Sequence, residues 1–308
     1  MKHNLRITSI ILGMFILTQF IGLVVLTADP LKIETEIDGE VQIVSNPYLQ
    51  WINPPEAKSQ IDFVFLFSQL VIVFIIAIFL LFLLMKFKIE MFLKIWFFVV
   101  VSIALALSFI AFEKLIPYAI ELKVALIVAF ALAIPLAYLK IFKRNLLVHN
   151  ATELLIYPGI AVIFVPILNI YTIIALLILI SIYDMWAVWH SGIMQKMAKY
   201  QIQKLNIFSG FFVPYVSKKV KLKLKKMKKS ELKKKKIKVN VAILGGGDVI
   251  FSLITAGVML KTLGIFSAVL VIFGSALGLS YLLFFSEKKK FYPAMPFISA
   301  GIFPWDFD

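Results

Sequence analysis

The chain predicts an all-α polytopic membrane protein of about nine spanning helices, with its N-terminus inside and its C-terminus outside. Three observations predict this. Of 308 residues, 61% are hydrophobic, and the mean hydropathy is +0.96, more apolar surface than a soluble exterior tolerates. Apolar runs of about 20 residues, the length a bilayer core requires, recur from end to end. Positive charge then alternates between the connecting segments. With the N-terminus inside, all but five of the 32 basic residues fall on the inside, as the positive-inside rule demands. The five assigned outside are Lys32, Lys58, Lys114, Lys123 and Lys261.

In chain order, Lys2, His3 and Arg6 precede an apolar run over 7–26. A cleavable signal peptide ending near Ala28 is the rival reading. The run exceeds the roughly 7–15 apolar residues of such peptides, which favours a retained helix. Residues 28–60 form an extracytoplasmic loop. Within it, Lys32–Ile37 and Glu40–Val44 alternate on either side of Asp38-Gly39, a two-residue hairpin signal. Pro47, Pro54 and Pro55 make an irregular return to the membrane. Spans follow at 61–85, 92–112, 117–139, 151–168 and 169–191. The fifth helix carries Pro158 and Pro166, which free backbone groups that must be buried or face a wet cavity. Residues 1–191 thus hold helices one to six.

Residues 192–239 form a basic cytoplasmic loop. Its lysine run over 218–238 repels itself and reads as a solvated linker. It accounts for much of the net charge of +15 without nucleic acid; anionic membrane lipid is the partner such a loop suits. Val220–Leu224 and Ile237–Val241 alternate as edge strands do. Residues 240–308 hold helices seven to nine, at 240–261, 264–285 and 291–306, the last with Pro293, Pro296 and Pro304. Trp51, Trp186, Trp189 and Trp305 fall near expected interfaces. Gly274 and Gly278 form a GxxxG, a signature of close helix packing.

The chain has no cysteine, which excludes disulfides, thiol nucleophiles and thiolate metal sites. It has no H-E-x-x-H, so no metal or other cofactor is expected. His190 and Ser191 are adjacent and point about 100° apart on a helix, which suits an interface better than a catalytic pair. His149 falls in an expected cytoplasmic loop, and Glu153 and Asn169 near wet span ends.

Two acidic residues remain deep inside apolar runs, Asp184 and Asp248. A carboxylate there costs roughly 2.5–3.5 kcal/mol on insertion scales. With the sixth span ending near Gly192 and the seventh starting near Asn240, both lie about 12 Å in from the cytoplasmic ends at about 1.5 Å per residue. Hydrolysis of a peptide bond by an aspartate pair needs such a meeting, since one carboxyl must hold a proton while the other draws one from water. A membrane transporter using the two as a proton or cation relay would need it too. Depth alone leaves both readings open, beside a structural role.

Tyr183-Asp184, Gly245-x-Gly247-Asp248 and Pro293-Ala294-Met295 together resemble the presenilin and signal peptide peptidase family, the GxGD intramembrane aspartyl proteases. That family carries Tyr-Asp, Gly-x-Gly-Asp and Pro-Ala-Leu in helices six, seven and nine of nine. The order and the spans are the same here; Met295 replaces a leucine at conserved volume. The resemblance implies an intramembrane aspartic endopeptidase with Asp184 and Asp248 as the catalytic pair. It implies substrate-binding surroundings formed by Tyr183, Gly245, Gly247, Pro293, Ala294 and Met295, with Tyr183 either bonding in the site or packing. The partner implied is a transmembrane helix of a substrate protein. The N-in, C-out orientation is similar to presenilins. The short chain is similar to archaeal members, which need no partner subunit. Prepilin-type peptidases also carry GxGD, but they cut near the membrane surface and give Pro293-Ala294-Met295 no role.

Overall fold

The computed structural model describes residues 5–37, 40–55, 57–87, 90–116, 121–143, 145–190, 207, 209–215, 240–286 and 292–303. Eight helices in it are long and apolar enough to cross a membrane. The protein is an integral, multi-pass membrane protein of all-α class. The helices are α1 (Leu5–Ala28), α2 (Gln60–Phe87), α3 (Glu90–Lys114), α4 (Leu122–Phe142), α5 (Leu146–Phe164), α6 (Ile170–Trp189), α7 (Gly246–Leu263) and α8 (Ile265–Phe285). A short α9 (Met295–Ile302) follows. Two antiparallel strand pairs accompany them. β1 (Lys32–Ile37) pairs with β2 (Glu40–Ser45), with Ile37 opposite Glu40. β3 (Gly210–Tyr215) pairs with β4 (Asn240–Gly245), with Gly210 opposite Gly245 and Tyr215 opposite Asn240.

Two cores hold the bundle. α3, α4 and α5 pack through small residues, Ala104, Ala129, Ala133 and Ala137 being buried. Small side chains let membrane helices approach where the hydrophobic effect cannot drive them together. Gly159 of α5 lies so close to α3 that a Cβ there would overlap the carbonyl of Ala104. Ser108 Oγ donates to the Leu155 carbonyl at 2.6 Å across the same seam. In the second core, α1 packs against α5, α7 and α8, and α9 sits between α8 and α6. α2 stands apart. Its large apolar side chains, Ile61 at 79% and Phe79 at 68% exposed among them, face outward, as lipid-facing residues do. Its main neighbours are α6 and the single 3-10 turn after α5.

Several expected boundaries move. Residues 240–245 are strand, so the seventh helix begins at Gly246. The cause is pairing: Val241, Ala242 and Ile243 alternate against β3, and three glycines disfavour an earlier helix start. The fifth helix begins at Leu146, capped by Asn145, whose side chain accepts the amides of Leu147 and Val148. His149 is therefore on a helix, not in a loop. Glu153 and Asn169 are buried, not wet. The last helix begins later than expected, at Met295, with Ala294 as its N-cap. Asp38-Gly39, Val220–Leu224, Ile237–Val239, most of the 192–239 loop and Trp305 lie outside the described residues.

Candidate active site

Asp184 sits one turn and a residue from the end of α6. That helix starts at a capping box: Asn169 Oδ1 accepts the Thr172 amide at 2.9 Å, and Thr172 Oγ1 accepts the Asn169 amide at 2.8 Å. Asp184 is buried, and its Oδ2 accepts the Met295 amide at 3.1 Å. The Ala294 amide is also directed at it. The Pro293-Ala294-Met295 motif makes this contact possible. Ala294 caps α9 and Met295 is its first residue, so their amides have no partner inside the helix. The carboxylate thus meets the positive end of a helix.

α9 is held against its neighbours by close approach. A Cβ on Gly278 would overlap the Phe297 carbonyl, and one on Gly301 would overlap the carbonyl of Gly274. The expected GxxxG packing is therefore between α8 and α9. One turn from Asp184, Ser181 Oγ lies 3.1 Å from Ser299 Oγ of α9. Two polar contacts and a glycine seam thus fix the register of α9 on α6 and α8.

Asp248 is the third residue of α7. Gly245, its N-cap, is extended at φ −64° and ψ 143°, and the Gly245 amide is directed at the Asp248 carboxylate. This is the reaching-back half of a capping box. The depth argument from sequence needs correcting here. Asp248 lies in the first turn of its helix, directly behind a strand, and not eight residues inside a span. The two acids lie within electrostatic reach of one another, the charge of Asp184 acting on Asp248. Neither forms a salt bridge with a described residue.

The three glycines differ. A side chain on Gly245 would crowd Asp248 Oδ2, at 3.2 Å from the added Cβ. Gly246 is packed: its Cβ would lie 2.6 Å from Ser209 Oγ and 2.7 Å from the Tyr157 hydroxyl, and its amide donates to the Ser209 carbonyl at 3.1 Å. Gly247 is exposed, with nothing nearer than the Phe251 ring at 3.8 Å. It borders an apolar cavity of about 510 Å³ between α2, α5, α6 and α7, lined in part by Leu70, Phe74, Leu179, Ile180 and Phe251. Tyr183 packs edge-on against Phe74 of α2, with ring centroids 6.3 Å apart.

Sequence reasoning missed β3, although Phe211, Phe212, Val213 and Tyr215 are the aromatic and β-branched residues that strands favour. It also missed the buried pair of Lys140 and Glu153, whose Nζ and Oε1 are 2.6 Å apart.

A family model described as signal-peptide peptidase, presenilin aspartyl protease matches residues 51–304. The chain belongs to this family. Among solved structures, a presenilin family intramembrane aspartate protease in space group C222 matches at TM-score 0.56 and 16% identity, over 96% of this chain and 95% of that one. A structure of such a protease in space group P2 matches at TM-score 0.54 and 18% identity, over 95% and 92%. At these identities the likeness speaks for the fold. No curated protein matches the chain significantly. Within the presenilin and signal-peptide peptidase family, Tyr-Asp, Gly-x-Gly-Asp and Pro-Ala-Met here fall on α6, at the β4–α7 junction and at the start of α9.

Proposed function

We propose that this chain hydrolyses peptide bonds within transmembrane segments of other proteins, using Asp184 and Asp248 to activate one water. The observation that carries this is that the two carboxylates lie within electrostatic reach of each other. Asp184 is held by the Ala294 and Met295 amides, Asp248 by the Gly245 amide, and an open glycine face lies beside them. Two carboxylates brought close together share one proton. The ionised carboxylate takes a proton from water as the oxygen attacks the scissile carbonyl carbon. The protonated one donates to the carbonyl oxygen. Collapse of the tetrahedral species then returns a proton to the leaving nitrogen.

A helical substrate hides its carbonyls in backbone hydrogen bonds, so it must unwind near the site. The strand that leads into Asp248 suits an unwound partner. The far edge of β3 is occupied by side chains of α5. The alternation of the ladder then turns the backbone groups of Val241 and Ile243 toward β4's other edge, where no described strand pairs. An extended substrate added there is led along Gly245 to the carboxylates. Gly247 and the apolar cavity receive its side chains, and Tyr183, Pro293, Ala294 and Met295 complete the surroundings. The lysine loop serves the cytoplasmic side of the substrate or anionic lipid. No partner subunit is required.

The test is incubation of the purified protein with a transmembrane peptide. Wild type should cut it, and Asp184→Ala and Asp248→Ala should each reduce cleavage to background. Cleavage that survives either replacement would refute the two-aspartate reading. A peptidic hydroxyl-containing transition-state mimic separates the protease from an ion relay, since only a protease should bind it.

A further inference from the structure

Among the described residues, β3 has one strand partner. One edge pairs with β4. The other meets α5, and there the backbone groups are met by side chains. Asn150 Oδ1 accepts the Phe212 amide at 3.0 Å, and Asn150 Nδ2 donates to the Phe212 carbonyl at 2.8 Å. The amide side chain thus repeats the paired bonds a neighbouring strand would make. Two residues earlier on β3, Glu153 Oε1 accepts the Gly210 amide at 3.3 Å, and His149 Nε2 lies 2.8 Å from the Gly210 carbonyl. Lys140 of α4 anchors the group, with its Nζ 2.6 Å from Glu153 Oε1 and 3.3 Å from His149 Nδ1. Glu153 is fully buried, and Lys140 and His149 nearly so. The desolvation of such a pair is repaid only where its geometry is good and further hydrogen bonds satisfy it, and the bonds to Gly210 and His149 supply these.

That arrangement reaches the candidate site in two steps. Gly210 lies opposite Gly245 in the ladder. Beside it, the Ser209 carbonyl accepts the Gly246 amide at 3.1 Å, and Ser209 Oγ lies 3.4 Å from the Tyr157 hydroxyl of α5. The residues that seat β3 therefore also seat the turn from which Asp248 projects. We infer that Asn150, with Glu153, His149 and Lys140 behind it, is a positioning group. It acts as a side-chain strand that fixes β3 on α5 and thereby holds the Gly245–Asp248 turn in register with Asp184. This rests on the hydrolytic reading for its effect on cleavage, but not for its effect on the turn.

The experiment uses the full chain in detergent with two readouts, amide hydrogen exchange over residues 242–248 and cleavage of a transmembrane peptide. Asn150→Leu removes both bonds to Phe212. Asn150→Asp keeps the acceptor and loses the donor, and covers the case in which leucine prevents folding. Ser108→Ala is the control: it loses a bond between α3 and α5 without touching β3. The expected result is faster exchange over 242–248 in both Asn150 variants. A loss in kcat/KM of roughly tenfold to a hundredfold should accompany it, since displacements near 1 Å at a catalytic group cost that much. Binding of the hydroxyl-containing mimic should weaken in parallel, with the control like wild type on every measure. Unchanged exchange over 242–248 would overturn the inference, as would faster exchange with full cleavage. If wild type itself cuts nothing, the hydrolytic reading falls, and exchange still decides whether Asn150 holds the turn.

Discussion

At the scale of single residues, the three glycines before Asp248 separate structure from chemistry. Gly246 is enclosed by Ser209 and Tyr157, whereas Gly247 looks onto open space. Gly246→Ala should lower stability by about 1–3 kcal/mol, the usual cost of overpacking, seen as a drop in thermal unfolding temperature in detergent. Gly247→Val should behave oppositely. Valine costs less than glycine in a helix, and its side chain meets no wall, so stability should hold. Cleavage of a transmembrane peptide should fall by roughly tenfold or more, because a branched side chain stands where a substrate backbone must approach. Equal loss of stability in both variants would show that Gly247 is only a packing position. Nothing in the sequence separated these adjacent glycines, because the difference lies in what β3 and α5 bring to each. Asp184 and Asp248 themselves were legible, since an acid in an apolar run is conspicuous wherever the run folds.

At the scale of elements, the long helices were legible from apolar run length, and most of their ends were not. Residues 240–245 are as apolar as a span start, and only pairing with Gly210–Tyr215 makes them a strand. That partner lies far back in the chain, beyond the reach of local pattern. Glu153 read as wet because it stood near an expected span end, and Lys140 fell just past the end of another. Once α5 starts at Leu146 they face each other inside the bundle. The Pro-Ala-Met segment was recognisable as a motif, but its physical action, offering two free amides to Asp184, needed the fold. That action depends on where α9 sits, and the α8 glycines set this. Gly278→Ala would drive a Cβ into the Phe297 carbonyl, and backbone cannot yield as a side-chain tip does. α9 must then shift away from α8, carrying the Ala294 and Met295 amides off Asp184. The expected outcome is a fall of roughly a hundredfold in kcat/KM, with expression and helical content retained. Unaltered kinetics would mean that α9 does not govern Asp184.

At the scale of the whole molecule, charge is arranged along the bundle as well as around it. Lys261 closes the far end of α7, about 20 Å from Asp248 at 1.5 Å per residue. It lines a cleft of about 650 Å³ together with Lys32, Lys58 and Asp29, beside the β1–β2 hairpin. Lys114 points to the same end, its ammonium donating to the carbonyls of Ala28, Asp29 and Lys32 at 2.6–2.9 Å. Four of the five basic residues assigned outside therefore gather at the end of the molecule away from the aspartates, with Asp29 among them. The lysine run over 218–238 precedes β4 in the chain, and β4 leads directly into Asp248. By the positive-inside rule we predict that the aspartate end of the bundle faces the cytoplasm. The absence of cysteine makes this directly measurable. Val41→Cys introduces a thiol on the hairpin, where the native side chain is 72% exposed; Ser230→Cys introduces one in the lysine run. In intact cells a membrane-impermeant maleimide should label the first variant at once, and the second only after the membrane is opened. The reverse pattern would invert the molecule, putting the two carboxylates near the outer face and directing the search for substrates to proteins of the opposite orientation.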